Sequence, residues 1–245
     1  MEEEVKERII ERVKASERLI VALDLPTVEE AKELVLSLSG VVSFFKIGLE
    51  LQFDAGRPFI EWLRKRECRV FLDLKFFDIA ETVRRAVAKV ADIGADFLTV
   101  HGGDQAILKA AVDGRGKSAL KILAVTVLTS MDSEHIKDLV CHRAKMAKEI
   151  GCDGVVTSGM EVRLIREQVT APLLVVVPGI RPKESETHDQ KRTVTPTHAI
   201  SAGADYLVVG RPIRDAQDKK AAAKAILAEM QTALDTRYFV SRSSA

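Results

Sequence analysis

A chain of 245 residues, 47% hydrophobic and 30% charged, can bury one large core or two small ones and has the balance of an ordinary globular protein. A net charge of +1 argues against nucleic acid or an anionic membrane as the main partner, and no apolar run approaches the roughly 20 residues that span a bilayer. Three cysteines (Cys68, Cys141, Cys152) without metal-type spacing, and an acidic Met1-Glu-Glu-Glu start unlike a secretory signal, predict a reducing, cytoplasmic setting.

Residues 2–16 carry an apolar stripe (Val5, Ile9, Ile10, Val13) at helical spacing, which predicts an extra N-terminal helix packed outside or beneath the main body. A rhythm then begins. Leu19–Leu23 is a short apolar run ending at Asp24, and a helix opens at Pro26-Thr27 and runs to Leu38. Val41–Phe45 leads into Lys46-Ile-Gly48, with a helix from about Arg57 to Arg66. Arg69–Lys75 is followed by a helix from Ile79 to Ile93. Asp96–Val100 ends at His101, and a helix follows to Val112. Leu120–Thr126 runs towards Leu128-Thr129-Ser130, with a helix from Asp132 to Ile150. Gly154–Thr157 precedes a helix to about Val169, and Leu173–Val177 reaches Pro178-Gly-Ile-Arg181. Tyr206–Val209 meets Gly210-Arg211 ahead of a helix from about Asp215 to Leu234.

Eight strand-then-helix units in this length predict a single-domain α/β protein, a (β/α)8 barrel with its core at about 18–235. The strands are continuously apolar, as strands covered by outer helices must be. A doubly wound open sheet is the alternative, but no Gly-x-Gly-x-x-Gly follows the first strand. The one long irregular stretch, Arg181 to Pro196, is polar, follows the seventh strand, and is expected to close over a ligand.

In such a barrel the C-terminal strand ends converge on one face. Asp24, Lys46, Asp73, Lys75, His101, Thr129, Gly179, Arg181, Gly210 and Arg211 would all lie there. Asp73 and Lys75 are two residues apart and share a strand face, with Leu72 and Leu74 on the other. Taken alone they could be a structural ion pair, and Asp78, three residues before Glu81, could be a helix N-cap. Together with Lys46 they are expected to form an alternating network of Lys46, Asp73, Lys75 and Asp78. Gly210 admits close backbone approach and Arg211 offers a fork to an oxyanion, with Arg181 and Gln190 able to close on the same group.

These pieces resemble orotidine 5′-phosphate decarboxylase in its shorter bacterial form. The resemblance runs from Arg18 to about Asp218 and rests on Ala22-Leu-Asp24, Phe45-Lys-Ile-Gly48, Phe71-Leu-Asp-Leu-Lys-Phe-Phe-Asp-Ile79, Ala124-Val-Thr-Val-Leu-Thr-Ser130, Val177-Pro-Gly-Ile-Arg181, Asp189-Gln190 and Leu207-Val-Val-Gly-Arg-Pro212. It implies decarboxylation of orotidine 5′-monophosphate to uridine 5′-monophosphate in pyrimidine biosynthesis, with no cofactor or metal, in a homodimer. By the same resemblance Lys75 is the proton donor, with Asp73, Lys46 and Asp78 completing the catalytic set. Asp24, Lys46 and Thr129 approach the ribose, and Arg181, Gln190, Gly210 and Arg211 take the phosphate. Ile79 and Pro178 belong to the substrate-binding set, and Asp78 and Thr82 enter the partner subunit's site. One departure is Gly102-Gly-Asp104-Gln105 after His101, where many relatives carry residues rich in Ala and Gly.

Taking carbon dioxide from an aromatic ring carbon leaves a carbanion with little resonance help. A fixed ammonium at Lys75 would stabilise it and then protonate it, with Asp73 aiming the amine. The nearest rival is a metal-dependent sugar-phosphate lyase on a similar barrel, which places a glutamate on the second strand where this chain has Lys46. A non-catalytic phosphate-binding barrel is the other, and it leaves Lys75 without a purpose.

Overall fold

In the computed structural model the apolar runs pair in chain order as parallel strands, and the last closes on the first. The structure describes residues 14–127, 136–169, 172–182 and 193–243, with side chains to 237. The strands are β1 Leu19–Ala22, β2 Phe44–Ile47, β3 Arg69–Phe76, β4 Phe97–His101, β5 Lys121–Val125, β6 Gly154–Val156, β7 Leu174–Val177 and β8 Tyr206–Val209. Around them lie α1 Val28–Ser37, α2 Leu49–Arg64, α3 Ala80–Ile93, α4 Gln105–Arg115, α5 Ile136–Ile150, α6 Val162–Gln168, α7 Pro196–Ala202, α8 Arg211–Arg214 and α9 Lys219–Ser243. This is the closed (β/α)8 barrel that the strand–helix rhythm predicts.

Alternation along each strand divides the core in two. Leu19, Val21, Phe45, Val70 and Leu72 point outward to the helices, while Ile20, Phe44, Phe71, Phe97 and Leu123 fill the barrel. The interior rings meet edge-on, Phe44 to Phe97 at 5.1 Å and Phe71 to Phe97 at 5.8 Å. Arg69 enters at the N-terminal end of β3, its guanidinium carbon 4.0 Å from the Phe44 ring centre. Ion pairing to Asp96 holds it there and plugs the barrel floor.

Three elements differ from expectation, and a fourth is described only in part. α2 begins at Leu49, not near Arg57, because a first segment precedes a break at Gly56 (φ 52°, ψ −156°), and Pro58 lies just beyond the break. The long stretch after β7 leads into a helix not expected there from the sequence, α7, whose Thr195 side chain caps His198 N–H and whose first residue is Pro196, a common helix start. Residues 183–192 of that stretch lie outside the described residues. A short helix, α8, separates β8 from α9, which starts at Lys219 rather than Asp215. Of the expected N-terminal helix, residues 1–13 lie outside the described residues; Lys14 is extended and Ala15–Glu17 form a 3-10 turn, with Ala15 N–H donating to Gln231 of α9 at 2.9 Å.

Candidate active site

Three adjacent strands build the centre of the site by one pattern. Each sets a phenylalanine inside the barrel and a polar residue two positions later: Phe44 then Lys46, Phe71 then Asp73, Phe97 then Thr99. Period-2 alternation stacks the polar layer directly over the aromatic one. With rings below them, these polar groups can be satisfied only by one another or by a ligand above.

They satisfy one another as a chain of alternating charge. Lys46 Nζ lies 2.8 Å from Asp24 Oδ1 and 3.6 Å from Asp73 Oδ2. Lys75 Nζ lies 2.8 Å from Asp73 Oδ1, which also accepts from the Thr99 hydroxyl at 3.0 Å. Side-chain exposure rises outward along it, from 10% at Lys46 and 17% at Asp73 to 37% at Lys75 and 49% at Asp24. Lys75 is thus anchored at the buried end of its partner and open at its own. Burial would push the Asp73 carboxyl up, but Lys46, Lys75 and the hydrogen bonds from Lys75 and Thr99 outweigh it and hold the group below its usual range. Gly48 leaves room for the chain, since a Cβ there would sit 3.1 Å from Asp24 Oδ1.

Simple alternation does not carry through β3 to its end. Lys75 has φ +48°, a left-handed conformation that costs a lysine roughly 1–3 kcal/mol, and the pairing with β4 shifts register between Leu72 and Phe76. Thr99 holds this conformation by accepting the Lys75 N–H at 2.9 Å. Thr99 was missed in the sequence, although a lone hydroxyl two places after Phe97 in an apolar strand marks the same inner column as Lys46 and Asp73.

Within a single chain the expected network lacks Asp78, which the resemblance assigns to the partner subunit's site. Asp78 is exposed, accepts its neighbour Ile79 N–H at 2.6 Å, and makes no ion pair with the described residues of its own chain; Asp24 supplies the second carboxylate instead. Nor does Asp78 cap α3, whose N-cap is Ile79 without a side-chain bond. Phe77, Ile79 and Thr82 are exposed beside it.

At the other side of the mouth Gly179 has φ +75°, a conformation suited to glycine, and turns the chain between Pro178 and Arg181. Arg181 is buried, donates to the Ile180 carbonyl at 2.8 Å, and pairs through its main chain with Val194. Gly210 and Arg211 open α8, and a Cβ on Gly210 would meet only Ala22, at 3.6 Å. Thr129 and Gln190 lie outside the described residues. His101 ends β4 with its ring 4.8 Å from Phe77, and burial, reinforced by Arg143 and opposed by Asp104, lowers its pKa. The departure after His101 has a local reason: Asp104 caps α4 by accepting Ala106 and Ile107 N–H, and a Cβ on Gly102 would lie 2.5 Å from the Val125 carbonyl oxygen.

Among the described residues no three His, Cys, Asp or Glu side chains gather as metal ligands, and Asp24 and Asp73 are already bridged by an ammonium. No helix among them is long and apolar enough to cross a membrane. The chain is 53% identical to orotidine 5′-phosphate decarboxylase of Nitrobacter winogradskyi over 90% of its length and 95% of that protein. It is 51% identical to the Methylococcus capsulatus enzyme of the same name over 89% of its length and 94% of that protein. The crystal structure of orotidine 5′-phosphate decarboxylase from Lactobacillus acidophilus superposes with a TM-score of 0.77 at 38% identity, covering 87% of this chain and 98% of that one. Residues 17–226 match the Orotidine 5′-phosphate decarboxylase / HUMPS family, and the chain belongs to that family in its short bacterial form.

Proposed function

We propose that the protein decarboxylates orotidine 5′-monophosphate to uridine 5′-monophosphate and carbon dioxide without a cofactor, as a cytoplasmic homodimer built from one barrel domain per chain. The observation that carries this reading is the Asp24–Lys46–Asp73–Lys75 chain, which fixes an accessible ammonium over a dry aromatic layer. The metal-dependent alternative would need a carboxylate where Lys46 stands, and a divalent cation there would meet an ammonium.

In this reading the pyrimidine lies over Lys75 with its carboxylate near Asp73. The bond from C6 to the carboxyl carbon breaks, its electron pair stays on C6, and carbon dioxide leaves. The Lys75 ammonium stabilises that pair as it develops and then gives it a proton, so the amine regains its own proton from solvent. Held in place before the reaction begins, it need not reorganise as charge shifts, which is where such stabilisation gains most. Repulsion between Asp73 and the substrate carboxylate is a smaller contribution. Asp24 and Lys46, with Thr129, hold the ribose; Ile79 and Pro178 line the site; Arg181, Gln190, Gly210 and Arg211 take the phosphate. Binding energy from that remote phosphate then serves to orient the ring.

Asp78 and Thr82 act in the partner's site. The exposed turn supports this: Asp78 has no charged partner among the described residues of its own chain and is flanked by Phe77 and Ile79, which are 64% and 73% exposed. Apolar side chains so displayed around an unpaired carboxylate are suited to burial against a second copy. The three cysteines are free thiols, in keeping with a reducing compartment.

The test is loss of orotidine 5′-monophosphate absorbance with a chelator present. Wild type is expected to turn over undiminished, and Lys75→Ala to lose at least about a thousandfold in kcat, as when a proton donor and its field are both removed, while still binding uridine 5′-monophosphate. Abolition by chelator would favour the metal-dependent lyase, and full activity in Lys75→Ala would remove the proton-donor role.

A further inference from the structure

The Asp24 end of the charge chain lies at the tip of β1, the most exposed of its four members, and something outside the chain must hold it. Its main-chain carbonyl accepts from Arg214 NH1 at 2.6 Å, a contact between residues 190 apart in sequence. The guanidinium is in turn braced on its other edge by Asp215, from Nε to Oδ1 at 2.6 Å and from NH2 to Oδ2 at 3.2 Å. Arg214 is only 22% exposed, and it is the last residue of α8, the helix whose first residue is Arg211. The Arg214 hydrogen bonds, with help from the Arg211 and Lys219 charges against the cost of burial, hold the Asp215 carboxyl below its usual range, so the brace stays ionised at neutral pH.

We propose that Arg214 is a positioning residue for the reaction: braced by Asp215, it fixes the tip of β1 so that the Asp24 carboxylate meets Lys46 and the substrate ribose. The inference rests on the decarboxylase reading and adds to it a mechanical link. One four-residue helix offers Arg211 to the phosphate at its start and holds the main chain of the ribose-side aspartate at its end. A planar guanidinium suits this task, since one edge can grip a carboxylate while the remaining nitrogen reaches a carbonyl. With the clamp released, the Asp24 carboxylate would keep Lys46 as its one partner among the described residues, at a half-exposed site, and the main chain would be tied by the Leu23 N–H bond to the Lys46 carbonyl.

A double-mutant cycle tests this, with kcat and KM measured for orotidine 5′-monophosphate. Arg214→Ala is expected to lose roughly tenfold in kcat/KM, the usual worth of one charge-assisted hydrogen bond, and Arg214→Lys to recover much of it by reaching the same carbonyl. In an Asp24→Asn background Arg214→Ala should cost less than about twofold, because the carboxylate it positions is gone. Uridine 5′-monophosphate affinity should follow the same pattern. Equal losses in both backgrounds, or no loss from Arg214→Ala in the wild type, would overturn the proposal, since a merely structural role adds the same cost in either. Should Arg214→Ala fail to fold, Asp215→Asn carries the same cycle through the brace. A wild-type protein inert towards orotidine 5′-monophosphate would instead sink the decarboxylase reading beneath it.

Discussion

Asp73 serves three donors with two oxygens: Oδ1 takes Lys75 and Thr99, and Oδ2 faces Lys46. Removing one member of a buried ion cluster leaves the others uncompensated, so Asp73→Asn is expected to destabilise the protein by about 3 kcal/mol at neutral pH. Its acid dependence has a definite sign. The folded carboxyl titrates below its unfolded value of about 3.9, so its contribution is full above that value and disappears as pH falls through the lower folded one. Urea unfolding should therefore show wild type losing its advantage over Asp73→Asn as pH is lowered below about 4. Parallel curves for the two proteins through that range would mean that another carboxylate governs acid unfolding.

At the scale of elements, α3 and α4 are held together by a glycine. A Cβ at Gly114 would sit 2.3 Å from the Arg84 carbonyl oxygen, a backbone atom that cannot turn aside. An unobstructed Gly→Ala change inside a helix gains about 1 kcal/mol, whereas overpacking a tight contact costs about 1–3 kcal/mol. The clash should win, and Gly114→Ala is expected to lower the urea midpoint; a raised midpoint would show that α3 can slide. The strands were legible because an apolar run has one reading when helices cover it, and Asp73, Lys75 and Lys46 were found because each breaks such a run. What escaped depended on the third dimension. Spacing along the chain suggested Asp78 as the second carboxylate, but the neighbour strand supplies Asp24, 22 residues before Lys46. The early start of α2, expected near Arg57, escaped because the non-helical Gly56, with Pro58 just beyond it, is a break within one element. The left-handed Lys75 was illegible, since nothing local favours it; only Thr99 on the next strand makes it tenable.

At the scale of the whole molecule, activity depends on which chain completes which site. Lys75 is partly open to solvent, and Asp78 projects from an exposed turn without meeting Lys75 of its own chain. If each site takes Lys75 from one subunit and Asp78 from the other, a Lys75→Ala homodimer and an Asp78→Ala homodimer should both be severely impaired. In the mixed dimer the two lesions fall together in one site and leave the other wholly wild type. Random reassortment of equal amounts makes half the dimers mixed, so about a quarter of all sites should recover, on the order of one quarter of wild-type activity. Sites built from one chain alone would gain nothing on mixing. The experiment therefore needs only confirmation, by a tag on one parent, that mixed dimers have formed, and a verified mixed population without recovery would place Asp78 outside the partner's chemistry.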